Sequence, residues 1–120
     1  MTEALRQLPN AHRIAVICFN DGATIGALTA ARRLNREQDV VIVGQGADRR
    51  VHEELKRPDS RIIGSTAYMP ERYGDQLIPL ALKILHGEPA PPAVYIEHTF
   101  VSAVESSRLA PATRVKEYVQ

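Results

Sequence analysis

Residues 13–22 read Arg13-Ile14-Ala15-Val16-Ile17-Cys18-Phe19-Asn20-Asp21-Gly22, six apolar residues in a row entered from a charge and closed by three turn formers. A run without polar alternation predicts a parallel strand buried on both faces, because a sheet with one solvated face alternates apolar and polar positions. Asn20, Asp21 and Gly22 break the run. Asp21 is placed to cap a following helix in which Ala23, Ala27, Ala31 and Leu34 share one face. The small residues on that face predict a helix that sits close to the sheet.

The same grammar recurs twice downstream. Val40 to Val43 is a β-branched run closed by Gly44, Gln45 and Gly46, followed by Asp48 as a second cap and by Val51 and Leu55 one helical turn apart. The third copy begins at Arg61, with Ile62, Ile63, Gly64, Ser65, Thr66, Ala67 and Tyr68 as strand and Pro70 at the first position of the next helix. In that helix Tyr73, Gly74, Leu77, Leu80, Ala81, Ile84 and Leu85 fall on one face. Glu71, Asp75, Pro79, Lys83 and His86 fall opposite, and Gly87 is the stop. Pro79 removes a hydrogen bond from the helix interior and predicts a kink.

Three strand-to-helix units predict an α/β fold, a three-layer parallel sheet with helices on both faces. Ahead of them, Thr2 to Leu8 forms a short helix ended by Pro9 and Asn10. Behind them, Glu88 to Pro92 is an extended connector into a last strand at Val94 to Val101, and the pattern weakens after Ser102. The expected organisation is one domain over 1–120, with strand–helix repeats at 14–68, a helix at 70–87, and connector, last strand and tail at 88–120.

At 120 residues the chain has room for one core. Hydrophobic residues at 44% and charged residues at 24% place it with globular proteins rather than disordered or coiled-coil chains. Fifteen Lys plus Arg against fourteen Asp plus Glu leave a net charge of +1, with no long run of one sign, so no nucleic-acid or membrane-surface footprint is visible. The apolar stretch Leu77 to Leu85 is too short and too interrupted to span a bilayer, and Met1 to Arg13 does not read as a secretory signal. Cys18 is the one cysteine, which excludes an internal disulfide and predicts a small buried core residue.

In an open parallel sheet, ligands bind beyond the carboxyl ends of the strands. Those ends are Asn20 and Asp21, then Gln45 and Gly46, then Tyr68. Amides that both donate and accept, with a tyrosine offering a ring face and a polar tip, suit a hydroxyl-rich ligand. The plainer alternative is that Asn20 ends a strand, Gln45 is solvated and Tyr68 packs on the next helix.

Other chemistries fit poorly. Gly44, Gln45, Gly46 resembles the start of a dinucleotide fingerprint, but Arg49 stands where the third glycine belongs and Ser65 to Tyr68 lack the acidic ribose partner. His12, His52, His86 and His98 form no metal-ligand pair at helical spacing. Ser65 lacks a nucleophile-elbow pattern, Glu53 and Glu54 lie on the polar side of a helix, and a phospho-receiver would need more strand-end aspartates than Asp21. No enzyme activity and no cofactor are expected.

The string Asn20 to Leu28, followed by Val41, Ile42, Val43 and Gly44, resembles the C-terminal lobe of the periplasmic sugar-binding components of bacterial ABC transporters. The resemblance continues through Ile63 to Tyr68, Pro70 to Gly74, and Leu85, His86, Gly87 to Pro92, and covers roughly residues 10 to 102. It implies a partial periplasmic-binding-protein-like lobe that binds sugar noncovalently through Asn20, Asp21, Gln45, Gly46 and Tyr68. Asn20 matches a ligand contact of such receptors. Gly46 stands where many relatives have aspartate or asparagine, and Tyr68 where many have glutamine.

The resemblance further implies a periplasmic location and a membrane permease as partner. It implies that the first lobe and two strand–helix units of the second are absent, that the strand at Ile14 to Phe19 lies at a free sheet edge, and that the helix at 70–87 returns toward the missing lobe with its apolar face uncovered. A homo-oligomer or swapped dimer of the segment is the expectation. Two alternatives share the fold: a cytoplasmic sugar-sensing effector domain of a lac-repressor-type transcription regulator, and a truncated lobe with no ligand.

Overall fold

A computed structural model describes residues 1–102. Its elements run α1 (Thr2–Gln7), β1 (Ile14–Ile17), α2 (Asp21–Arg33), β2 (Val40–Gly46), α3 (Arg49–Leu55), β3 (Ile62–Ala67), α4 (Tyr73–Leu85) and β4 (Thr99–Ser102), with single 3-10 turns at Glu37–Asp39 and Pro70–Arg72. The strands lie in sequential order, β1-β2-β3-β4. The first three are parallel, as expected, and β4 returns antiparallel to β3.

The α/β class stands; the difference lies in the layers. Val40 and Ile42 of β2 and Ile62 of β3 point toward α2 and α3 and are fully buried with Leu28, Val51 and Leu55. Each such side chain contributes roughly 1.5–3 kcal/mol by leaving water. The opposite face carries no helix among the described residues. In register, Ala15 of β1 stands beside Val41, and Ile17 beside Val43. Ile17 is 83% exposed and Ile63 49%.

Strand β1 is therefore not buried on both faces. Its burial alternates, it ends at Ile17, and it stands at the sheet edge. Cys18 beyond it is buried, as expected, with its N–H donating to Val43 O at 2.9 Å, whereas Phe19 is 78% exposed. The unbroken apolar run reflects a strand composed for two covered faces, one of which is bare here.

Within α2 the buried residues are Thr24, Ala27, Leu28 and Ala31, a stripe rotated from the expected Ala23-Ala27-Ala31-Leu34. The rotation is possible because Thr24 satisfies its hydroxyl locally, Oγ1 donating to Asn20 O at 2.8 Å. Gly44 explains the close approach of this helix: a Cβ there would lie 2.5 Å from Thr24 Oγ1.

The pairing of β2 with β3 slips after Ile42↔Ile62 and resumes at Val43↔Gly64, so Ile63 is an extra, bulged residue. The last strand is shorter than the expected Val94–Val101, since regular pairing begins only at Thr99. The tail expected after Ser102 lies outside the described residues.

Pro70 opens the 3-10 turn that leads into α4, as expected of a helix-initiating proline. Helix α4 continues through Pro79 to Leu85, with Gly87 following as the stop. None of its residues is buried. It projects from the end of β3 and packs chiefly on the 3-10 turn that precedes it.

The N-terminal helix is held by one side chain. Arg36 donates to Leu5 O at 2.6 Å, to Leu8 O at 2.8 Å and to Ala11 O at 2.5 Å, and its Nε pairs with Asp39 Oδ2 at 2.7 Å. His12 Nδ1 lies 2.8 Å from Asp39 Oδ1. The Arg36 and His12 contacts hold the Asp39 carboxyl below its ordinary range.

Candidate ligand site at the strand ends

The carboxyl ends of β1, β2 and β3 meet along one rim of the sheet, and each expected contact residue sits there. Asn20, not Asp21, caps α2: its Oδ1 accepts from Ala23 N at 2.8 Å. The cap falls one residue earlier than expected because the chain is already helical at Asp21, leaving the extended Asn20 (φ −159°) to take the capping role. Its amide nitrogen has no hydrogen-bond partner among the described residues and is exposed.

Asp21 is occupied within the protein. Its two carboxylate oxygens accept from Ala47 N at 2.9 Å and Asp48 N at 3.0 Å, stapling the turn after β2 to the start of α2. That turn runs through two left-handed residues, Gly46 (φ +123°) and Ala47 (φ +57°). Gly46 has no room for a side chain, since a Cβ there would stand 2.1 Å from Asp21 Oδ2. A third left-handed residue, Met69 (φ +49°), follows β3 at the same rim. Backbone held in such conformations concentrates at functional loops.

Asp48 caps α3 as expected, Oδ1 accepting from Arg50 N at 2.9 Å and Val51 N at 3.1 Å, while Oδ2 holds the Arg50 guanidinium at 2.7 Å. Burial pushes the Asp48 carboxyl up, but the bonds from Arg50 and the Val51 amide outweigh it and hold it below its ordinary 3.8. A depressed carboxyl contributes stability that is complete above 3.8 and is lost as pH falls through the folded value. Asp48→Asn should therefore be less stable than the parent at pH 7, with the gap closing below pH 3.8. Urea unfolding of both chains from pH 7 to pH 2 measures this, and a gap independent of pH would refute it.

Gln45 and Tyr68 come together across the rim. Tyr68 donates its hydroxyl to Gln45 Oε1, and its ring meets that of His98 with centroids 4.8 Å apart and planes inclined at 55°. Gln45 pairs with Thr66 in register. It follows Val41 and Val43 in the alternation, which puts it on the bare face of the sheet.

Beside these groups a cleft of about 350 Å³ is lined by Asp21, Gly46, Asp48, His52, Tyr68 and Glu71 among others. Asn20 and Gln45 stand outside it. The rim is thus two adjoining surfaces, the cleft on the helix side and the Gln45–Tyr68–His98 group on the bare side. Beyond excluding a metal-ligand pair, the sequence assigns His98 and His52 no role, because each stands alone there. Only the return of β4 and the position of α3 bring them to the rim.

No described group of three His, Cys, Asp or Glu residues could hold a metal. The rim offers an exposed amide, a hydroxyl and carboxamide pair, and two aromatic rings, groups able to donate to, accept from and stack on polar neutral molecules.

Comparison with solved structures gives the architecture a precedent. A solute-binding protein of an ABC transporter from Agrobacterium vitis, solved with bound allitol, superposes with a TM-score of 0.79 at 21% identity, covering 89% of this chain and 37% of its own. A periplasmic counterpart from Actinobacillus succinogenes, solved with bound D-allose, gives 0.74 at 23%, covering 89% and 36%. This chain has the fold of a periplasmic solute-binding-protein lobe.

The lobe spans little more than a third of the length of those proteins. The fructose-binding periplasmic domain of a hybrid two-component system also matches it, with a TM-score of 0.72 at 26% identity over 89% of this chain and 35% of that one. No protein-family model matches the sequence, and a comparison with curated proteins finds no match. Two implications of the sequence resemblance agree with the geometry of the lobe: β1 lies at a sheet edge, and the apolar face of α4 is uncovered.

Proposed function

We propose that this lobe supplies one wall of a sugar-binding cleft in a periplasmic solute receptor, holding its ligand noncovalently for delivery to a membrane permease. The observation that carries the reading is the rim itself. The exposed amide of Asn20 and the Gln45–Tyr68 pair backed by His98 gather at the carboxyl ends of parallel strands, in a fold shared with proteins solved with allitol and allose. Asp21 and Gly46 act there by shaping the turn after β2, with the Ala47 and Asp48 amides fixed on Asp21. Sugar hydroxyls would exchange hydrogen bonds with the Asn20 and Gln45 amides, and a sugar's apolar C–H face would lie on the Tyr68 ring.

A single wall removes far less ligand surface from water than a closed cleft. Binding by the isolated chain should be weak, with Kd on the order of millimolar. Two-dimensional NMR titration with pentoses, hexoses and polyols should shift the amide signals of Asn20, Gln45 and Tyr68, and Tyr68→Ala should remove the response. Silence at these residues across the panel at tens of millimolar would sink the reading. It would favour the rival, a lobe that keeps the fold without binding sugar. That rival draws support from the commitment of the Asn20 and Asp21 oxygens to internal bonds.

A further inference from the structure

Among the described residues the lobe carries two uncovered surfaces that match one another. One is the apolar side of α4, where Leu77, Ile78, Leu82, Ile84 and Leu85 are all exposed, Leu85 to 79%. The other is the bare face of the sheet, with Ile17, Val41, Ile63 and Phe100 exposed. In an α/β fold a helix with one apolar side belongs on a sheet face, and within one chain this helix does not lie on this sheet.

We propose that two copies of this chain associate by reciprocal exchange of α4, each helix lying across the bare sheet face of the other copy. Dimensions support the fit. Thirteen helical residues span about 20 Å at 1.5 Å per residue, and four strands at about 4.8 Å spacing present a face of nearly the same width. Chemistry supports it too: the outward residues of the strands, from Ala15 and Ile17 through Val43 to Phe100, include no charge. Of the charged residues of α4, Lys83 falls on the side away from the apolar stripe and would stay in water, whereas Asp75 borders the stripe one turn before Ile78.

The exchange is isologous and closes after two copies. Pairing through the β1 edge alone would leave both helices uncovered, which is why exchange is favoured over edge pairing.

The point of departure suits a swap. The chain leaves the sheet at Met69, left-handed at φ +49°, and passes through the 3-10 turn Pro70–Arg72 before α4 begins. Gln45 stands on the bare face, so the incoming helix would border the Gln45–Tyr68 pair and supply a side that one copy lacks. The proposal does not depend on the identity of any ligand.

Sedimentation and multi-angle scattering of the full 120-residue chain at tens of micromolar should give twice the 13.3 kDa chain mass. Ile78→Lys combined with Leu82→Lys should shift the chain to monomer with its far-ultraviolet circular dichroism retained, because α4 contributes no buried residue to its own copy. Ile63→Lys, on the receiving face, should do the same. A monomeric parent chain would overturn the proposal, as would open-ended oligomers. So would a dimer that withstands the lysines on α4 or at Ile63.

Discussion

Replacing Gly46 by alanine is expected to cost about 3 kcal/mol of folding stability, the combined effect of a left-handed backbone forced on an L-residue and of lost hydrogen bonds. At φ +123° the backbone is one that side chains rarely adopt. The added methyl would stand 2.1 Å from Asp21 Oδ2, so the carboxylate must swing away from the Ala47 and Asp48 amides it now satisfies. Urea unfolding measures the loss. Because the two effects share one carboxylate, Asp21→Ala and Gly46→Ala should be less costly together than the sum of the two singly, with a coupling of about 1 kcal/mol or more. A cost below about 1 kcal/mol for Gly46→Ala would mean that the Asp21 staple contributes little.

Arg36→Ala should cost more, roughly 4–5 kcal/mol, since one charged group here satisfies three backbone carbonyls and such bonds contribute about 1.5–3 kcal/mol each. The carbonyls of Leu5, Leu8 and Ala11 converge on its guanidinium, and Asp39 anchors the other side. With only six residues, α1 cannot hold itself together in water. Its release would also uncover Leu5, now 2% exposed. Hydrogen exchange should show the protection of residues 5–11 collapse while β2 and β3 remain protected. Arg36→Lys should not restore it, because a single ammonium cannot reproduce the planar fork. Unchanged exchange in Arg36→Ala would refute the clasp.

Much of the fold was legible because its signals are local. The runs at Ile14, Val40 and Ile62, the caps at strand ends, and Pro70 and Gly87 around α4 each declare themselves within a few residues. What escaped was set at a distance. Nothing within Ile14 to Phe19 says that the sheet face beneath Ile17 is bare, since the sequence carries the composition of a covered strand. The rotation of α2 onto Thr24 and Leu28 depends on a hydroxyl finding Asn20 O, and a propensity for burial assigns threonine to the polar side. At the site, the positions of Asn20, Gln45 and Tyr68 follow from strand ends alone. That Asp21 is turned inward to hold two amides, and that His98 closes on Tyr68, follows only from the packing of segments far apart in the chain.

The sequential order of the strands bears on how the chain acquires its fold. Each strand pairs with the one made just before it, so no strand waits for a partner from the far end of the chain and no segment has to thread between two others already in place. Each pairing still joins residues well apart in sequence, as Ile14 with Val40 and Gly64 with Ser102, so assembly is slower than local pairing would be but can proceed unit by unit from the N-terminal side. Strand–helix units added or removed at the β1 side would leave the pairing of the remaining strands undisturbed.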